Sequence, residues 1–301
     1  LQTRYKLPLQ TPFLCSQLQE LLQTFTAIAT HRKITNFMTL TKTEGEQKNL
    51  FWMCLLTFLT LLVAILLMRE FLFQQLIQNG IRSYHKHMLL GIGANCFLIA
   101  LSYFFIKKNA LFSIAGLGDS QVKNSKTLIF PLMYLVTLNL VLMDEVSAKF
   151  GMTSVVLLLI YCVSVGLSEE LSVRGFLQSY LIKYFGESRI VHCIFASALI
   201  FGLLHLIKFD KGAFGELSQI GYAVFIGVMF GALLIVTKRI YPLVIIHTIA
   251  DFTAKFDAVG RPIEKRVAES VSMESSILIV MLVAPCLLYA LFLIRRYGLR
   301  V

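Results

Sequence analysis

The sequence predicts an all-α fold, a polytopic membrane helix bundle with about eight transmembrane helices. Three observations carry that expectation. Hydrophobic residues make up 57% of the chain and charged residues only 15%, well under the roughly 25% charged residues of a soluble domain. Apolar runs of about 17–25 residues, the length that crosses a bilayer, recur along the chain. A soluble core for 301 residues needs only one or two buried helices, so one membrane domain accounts for the pattern better than two soluble ones.

In chain order, residues 1–50 form a polar N-terminal segment in which Leu18, Leu21, Leu22, Phe25 and Ile28 recur at helical spacing. That spacing predicts an amphipathic helix lying on the membrane or the bundle, with a loosely ordered tail as the alternative. The N-terminal transmembrane helices occupy 51–145, with spans at 51–68, 89–106 and 128–143. A core over 146–256 holds the fourth span, beginning at 152–168, the fifth at 190–207, the sixth at 218–237 and a shorter seventh at 242–256. Residues 257–301 hold the last span, 276–294, and a basic tail. Lys107-Lys108, Lys238-Arg239 and Arg295-Arg296 come directly after spans as stop signals. Eight spans put both termini on one side of the membrane. Lys and Arg are commoner on that side, so the positive-inside rule favours cytoplasmic termini. There is no internal repeat or low-complexity tract. The chain starts at Leu1, as a fragment or a processed form does, and no signal peptide is expected, because no short apolar segment with a small-residue cleavage site opens it.

The net charge is +11, which in a soluble protein would raise nucleic acid as a partner. Here the basic residues flank apolar spans, and no basic stripe interleaved with aromatics stands out. The charge therefore sets orientation and meets anionic lipid; the bilayer is the expected partner and nucleic acid is not. Cys15, Cys54, Cys96, Cys162, Cys193 and Cys286 are scattered without a CxxC pair, which suits apolar packing rather than a disulfide frame or metal knuckle.

An ionisable residue inside a span is costly, and so a functional candidate by default. Of 17 acidic residues, Glu169, Glu170 and Asp251 lie within or against apolar helix, and of 6 histidines His192, His205 and His247 do. Glu170 and Arg174, four residues apart, face each other about 6 Å apart on a helix and can neutralise each other. Glu169 points about 100° away, free to face a cavity as a general base or acid must. The alternative is a buried charge network that only fixes packing. Phe201 and His205 share a helix face, and Gly202 admits a neighbouring helix closely. A single His at a span end is, however, more often a satisfied interfacial residue than a catalyst. His247 and Asp251, also four apart, can hydrogen-bond or together hold a metal or a water, or can simply stabilise their helix. His192 has no acidic partner at helical spacing and is structural. Gly186-Glu187-Ser188 has the composition of a turn, with Glu169 and His205 each 18 residues from Glu187. In an antiparallel hairpin both would lie about 27 Å from the turn and could meet, provided the fourth helix runs on to about Phe185.

The residues EELSVR (169–174), FGLLH (201–205) and HTIAD (247–251) resemble the three motifs EExxxR, FxxxH and HxxxN/D of the CPBP family, the CAAX proteases and bacteriocin-processing enzymes also called Abi. The resemblance covers about residues 150–255, with all three motifs in order on successive helices. It implies an intramembrane peptidase similar to the type II CAAX prenyl endopeptidases, in the plasma membrane of a prokaryote, acting on a peptide or on a prenylated or membrane protein. By the same resemblance Glu169 and His205 activate the attacking water, His247 and Asp251 orient or stabilise the oxyanion, and Glu170, Arg174 and Phe201 support the site. Val173 stands where an aromatic often precedes the Arg. Asp251 stands where the prenyl endopeptidases have Asn; an ionised Asp cannot donate to an oxyanion, so orienting His247 or being protonated suits it better. The cofactor is either none or zinc, with Glu169, His205, His247 and Asp251 as candidate ligands. The expectation leans to a glutamate-type mechanism. Two other classes compete: a non-catalytic membrane protein, such as a bacteriocin self-immunity factor or regulatory scaffold, and a transporter or proton relay. The intact motif triplet weighs against the first, and the absence of inverted-repeat symmetry against the second.

Overall fold

A computed structural model describes residues 44–119, 121–146, 151–208, 211–263 and 270–299. The amphipathic helix expected around Leu18 to Ile28 lies outside the described residues. The chain divides into two units at Cys54/Leu55, and the candidate site belongs to the second, Leu55–Val301.

Each predicted apolar run forms a helix, and among the described residues there is no strand. Helix α1 is Glu44–Gln78, α2 is Tyr84–Lys108, and α3 is Ile129–Val141, entered through a 3-10 turn at Ser125–Leu128. Helix α4, Met152–Glu170, runs through a π-helical stretch, Leu171–Gln178, into α5, Ser179–Phe185. Helix α6 is Ile190–Leu204, followed by a 3-10 turn at His205–Lys208. Helices α7 (Gly212–Thr237), α8 (Tyr241–Lys255) and α9 (Met273–Arg296) complete the order. Six helical stretches among the described residues are long and apolar enough to cross a membrane: Gly45–Gln78, Tyr84–Lys108, Met152–Phe185, Glu187–Lys208, Gly212–Thr237 and Met273–Arg296. Helices α3 and α8, at 13 and 15 residues, fall short of the ~20 that span the hydrocarbon. The eight apolar helices of the sequence are thus six long ones and two short ones.

The distribution of side chains is that of a bilayer protein. Phe97, Leu217 and Leu288 are 71%, 66% and 64% exposed, apolar faces suited to lipid. Polar groups turn inward and pair across helices. Asn95 Nδ2 donates to Ser164 Oγ at 2.9 Å, the hydroxyls of Ser102 and Ser172 lie 2.8 Å apart, and Asn139 Nδ2 donates to the Ala250 carbonyl at 2.8 Å.

Two features position the site. Gly186, at φ 83°, makes the turn that the sequence predicts there, in a backbone region that favours glycine. It folds the continuous helix Met152–Phe185 back against α6. Gly166 of α4 brings α8 in so closely that a Cβ there would sit 2.9 Å from Thr248 Oγ1 and 3.1 Å from the Val244 carbonyl oxygen. Gly202 does the same between α6 and α7, where a Cβ would meet Val224 Cγ2 at 2.7 Å.

Candidate active site

The three polar motifs of the sequence lie on α4 and its π-helical extension, at the end of α6, and on α8. Glu170 is fully buried and accepts from Arg174 Nη1 at 3.2 Å, the i, i+4 pair that the helical spacing predicts. Arg174, 1% exposed, also donates from Nη2 to the Gly227 carbonyl at 3.3 Å. Its guanidinium lies 5.0 Å from the Phe201 ring centroid and 5.5 Å from that of Phe230. Cation–π contacts of this kind gain strength where water is excluded. Phe201 in turn meets the His205 ring edge-on at 4.9 Å, so one aromatic joins the buried ion pair to the histidine of the second motif.

His205 sits where α6 gives way to the 3-10 turn, and its Nδ1 lies 2.9 Å from the Phe201 carbonyl oxygen. A carbonyl only accepts, so Nδ1 carries the proton and a neutral ring has its free lone pair on Nε2. His247 is held differently from the expectation. Its Nδ1 lies 2.9 Å from Glu170 Oε1, and its Nε2 lies 3.5 Å from Glu169 Oε2. The carboxylate that orients His247 is therefore Glu170, not Asp251. Asp251 Oδ2 instead accepts from Lys255 Nζ at 2.7 Å.

Glu169, His205, His247 and Asp251 line one cavity of about 290 Å³. A smaller cavity of about 150 Å³ shares Arg69, Glu169, Phe201, His205, Lys208 and Gln219 with it. The Glu169 side chain is 32% exposed and that of His247 15%, so the carboxylate aimed at the cavity is the accessible one while Glu170 is sealed. That separation gives the adjacent glutamates different capacities. Glu169 can take a proton from a water in the cavity, and Glu170 can only hold its two partners. His192 stands apart from this cavity, on an exposed face near the start of α6.

The candidate ligands are not grouped around a common point. Among the described residues no three His, Cys, Asp or Glu side chains are grouped to hold one. Of the candidate ligands, Asp251 is engaged by Lys255, whereas the carbonyl on His205 Nδ1 leaves Nε2 free. A closed zinc site needs about four ligands near 2 Å and a catalytic one about three.

Several lining residues are not legible in the sequence as site residues. Lys255 falls at the very end of the seventh span, 242–256, where it reads as a charge at the span's edge, although its i, i+4 spacing from Asp251 is a usable signal. Arg69 falls just outside a span ending at Met68, but α1 continues to Gln78. Tyr161 and Tyr222, both on the larger cavity, give no signal beyond being aromatic. Glu216, 2% exposed and accepting from the Lys211 backbone N–H at 2.9 Å, is a buried acid just before the predicted sixth span but does not line either cavity.

Residues 151–253, about a third of the chain, match the family model described as "Type II CAAX prenyl endopeptidase Rce1-like". The segment contains all three motifs and both histidines of the cavity. No curated protein and no solved structure gives a match.

Proposed function

We propose that this chain, whose residues 151–253 match a family of type II CAAX prenyl endopeptidases, is a membrane-embedded endopeptidase that hydrolyses a peptide bond near the membrane. The observation that carries the proposal is the accessible Glu169 carboxylate, 3.5 Å from His247 Nε2, on a cavity that His205 also lines.

In the proposed reaction a water between Glu169 and His205 gives its proton to Glu169, and its oxygen adds to the scissile carbonyl carbon. The carbonyl π electrons become the oxyanion. With Nδ1–H donated to Glu170, a protonated His247 presents Nε2–H to that oxyanion, a contact that strengthens as charge develops. Collapse restores the carbonyl and breaks the C–N bond, and the proton held by Glu169 passes to the leaving nitrogen. The products are a carboxylic acid and an amine. Arg174 and Glu170 are positioning residues that hold His247 from outside the cavity, and Phe201, on the cavity wall, packs edge-on against His205. Asp251 acts through Lys255, whose ammonium adds a positive charge to the cavity wall. The proposed setting is the plasma membrane of a prokaryote with cytoplasmic termini, and the proposed substrates are a prenylated protein tail, a leader peptide or another membrane protein.

The test is cleavage by the purified protein of a farnesylated peptide with a CAAX-type end and of a peptide library, run beside Glu169→Gln. Turnover by the wild type and none by Glu169→Gln is expected. Equal cleavage by both removes Glu169 as the base, and cleavage by neither favours the non-catalytic immunity or scaffold reading.

A further inference from the structure

One charged side chain of the cavity lies outside the matched segment and has no counterion among the described residues. Arg69 lines both the larger and the smaller cavity. It lies in α1 nine residues before Gln78, about 13 Å along the helix from that end. Among the described residues no hydrogen bond or ion pair reaches its guanidinium, and its Nε is buried without an acceptor. Glu169 lines the same two cavities, but its contact is with His247 Nε2 at 3.5 Å and it forms no ion pair with Arg69. The other neighbouring acids have partners of their own. Glu70 accepts from Gln74 at 2.9 Å, Glu170 holds Arg174 and His247, and Asp251 holds Lys255.

A guanidinium drawn from water into the protein, its Nε buried without an acceptor, is costly unless an anion meets it. An arginine that only flanked the membrane would reach along lipid to the headgroups with its N–H groups in water. Arg69 instead turns into the protein, beside Glu169 and His205. The planar fork of five donors fits a carboxylate through two parallel bonds, which a lysine does not reproduce. A carboxylate arriving there would neutralise the cation and complete its hydrogen bonding.

Resting on the peptidase reading, we infer that Arg69 is a substrate-binding residue that takes a carboxylate of the peptide, supplied by its free C-terminus or by an acidic side chain beside the scissile bond. Arg69 thus determines specificity and Glu169 performs the chemistry. A carboxylate held at a fixed point beside the base also sets which peptide bond reaches it.

The experiment compares wild type, Arg69→Met and Arg69→Lys on three farnesylated peptides. One ends in a free carboxylate with no acidic side chain, one is its C-terminal amide, and one is the amide with a glutamate near the scissile bond. Cleavage gives KM and kcat, and fluorescence anisotropy of the same labelled peptides in detergent micelles gives binding without turnover. The wild type is expected to prefer at least one carboxylate peptide over the plain amide by about 10- to 100-fold in KM and in binding, the range of one charge-assisted contact. Arg69→Met abolishes the preference in both KM and binding, and Arg69→Lys keeps part of it. Which carboxylate peptide wins identifies the source. A preference that survives in Arg69→Met, or no preference in the wild type, overturns the inference. Binding preference lost in Arg69→Met while no protein cleaves any peptide upholds the carboxylate site and refutes the peptidase reading instead.

Discussion

At the scale of single residues, the adjacent glutamates differ by what surrounds them. Glu169 meets solvent in the cavity and one histidine, whereas Glu170 is sealed between a guanidinium and an imidazole. Glu169→Gln keeps shape and removes the base, so turnover should fall by about 10²- to 10⁴-fold while the thermal midpoint in detergent stays near the wild type. Glu170→Gln should lower that midpoint markedly. It strands Arg174 without its carboxylate, a loss of about 3–5 kcal/mol for a broken buried pair, and it releases His247, so turnover falls as well. Asp251→Asn is expected to be mild. The Asp251–Lys255 pair is partly exposed and of the kind that contributes about 0–1 kcal/mol. Turnover within about tenfold of wild type fits a residue acting through its neighbour. Loss as deep as in Glu169→Gln would show Asp251 acting on substrate directly.

At the scale of elements, the site depends on how closely α8 approaches α4. Gly166 permits that approach, and Thr248, the residue it admits, adjoins His247. Gly166→Ala should cost about 1–3 kcal/mol through overpacking and lower kcat/KM, since the displaced element carries His247 and part of the cavity wall. Gly93→Ala in α2, where a Cβ meets nothing within 4 Å, is the control and should behave as wild type in midpoint and kinetics. If Gly166→Ala matches that control, the α4–α8 contact does not set the geometry of His247. The π-helical stretch directly after Glu170 belongs to the same scale. Such stretches concentrate at functional sites, and all eight of its residues are buried, with the Ser179 hydroxyl donating to the Arg174 carbonyl at 2.9 Å.

At the scale of the whole molecule, the question is whether the protein works with its own side chains alone. The cavity carries His, Glu and Asp side chains, but among the described residues no three of them are grouped to hold one ion, and Asp251 is paired with Lys255. Activity is therefore expected to persist after exhaustive chelation, in protein whose metal content is verified by elemental analysis. Stoichiometric zinc, with activity lost on chelation and restored by zinc alone, would reverse that expectation. Two partly polar cavities among long apolar helices also fit hydrolysis sheltered from lipid, with the water chemistry confined to the protein interior.

The sequence by itself determined the features that short-range periodicity encodes. Bilayer-length apolar runs place the long helices, and i, i+4 spacing pairs Glu170 with Arg174. The turn at Gly186 makes the hairpin that returns His205 towards Glu169. Tertiary structure alone decided which groups meet across helices. Glu170 and His247 are 77 residues apart, and no local pattern encodes their contact; it results from the approach of α8 at Gly166. The π-helical stretch has no hydropathy signature, because its residues are buried all round. Arg69 lay beyond the apolar run yet inside the helix, since a helix continues past the lipid boundary wherever its backbone bonds are satisfied internally. Hydropathy marks where lipid ends, and packing decides which polar side chains beyond that boundary turn back into the protein.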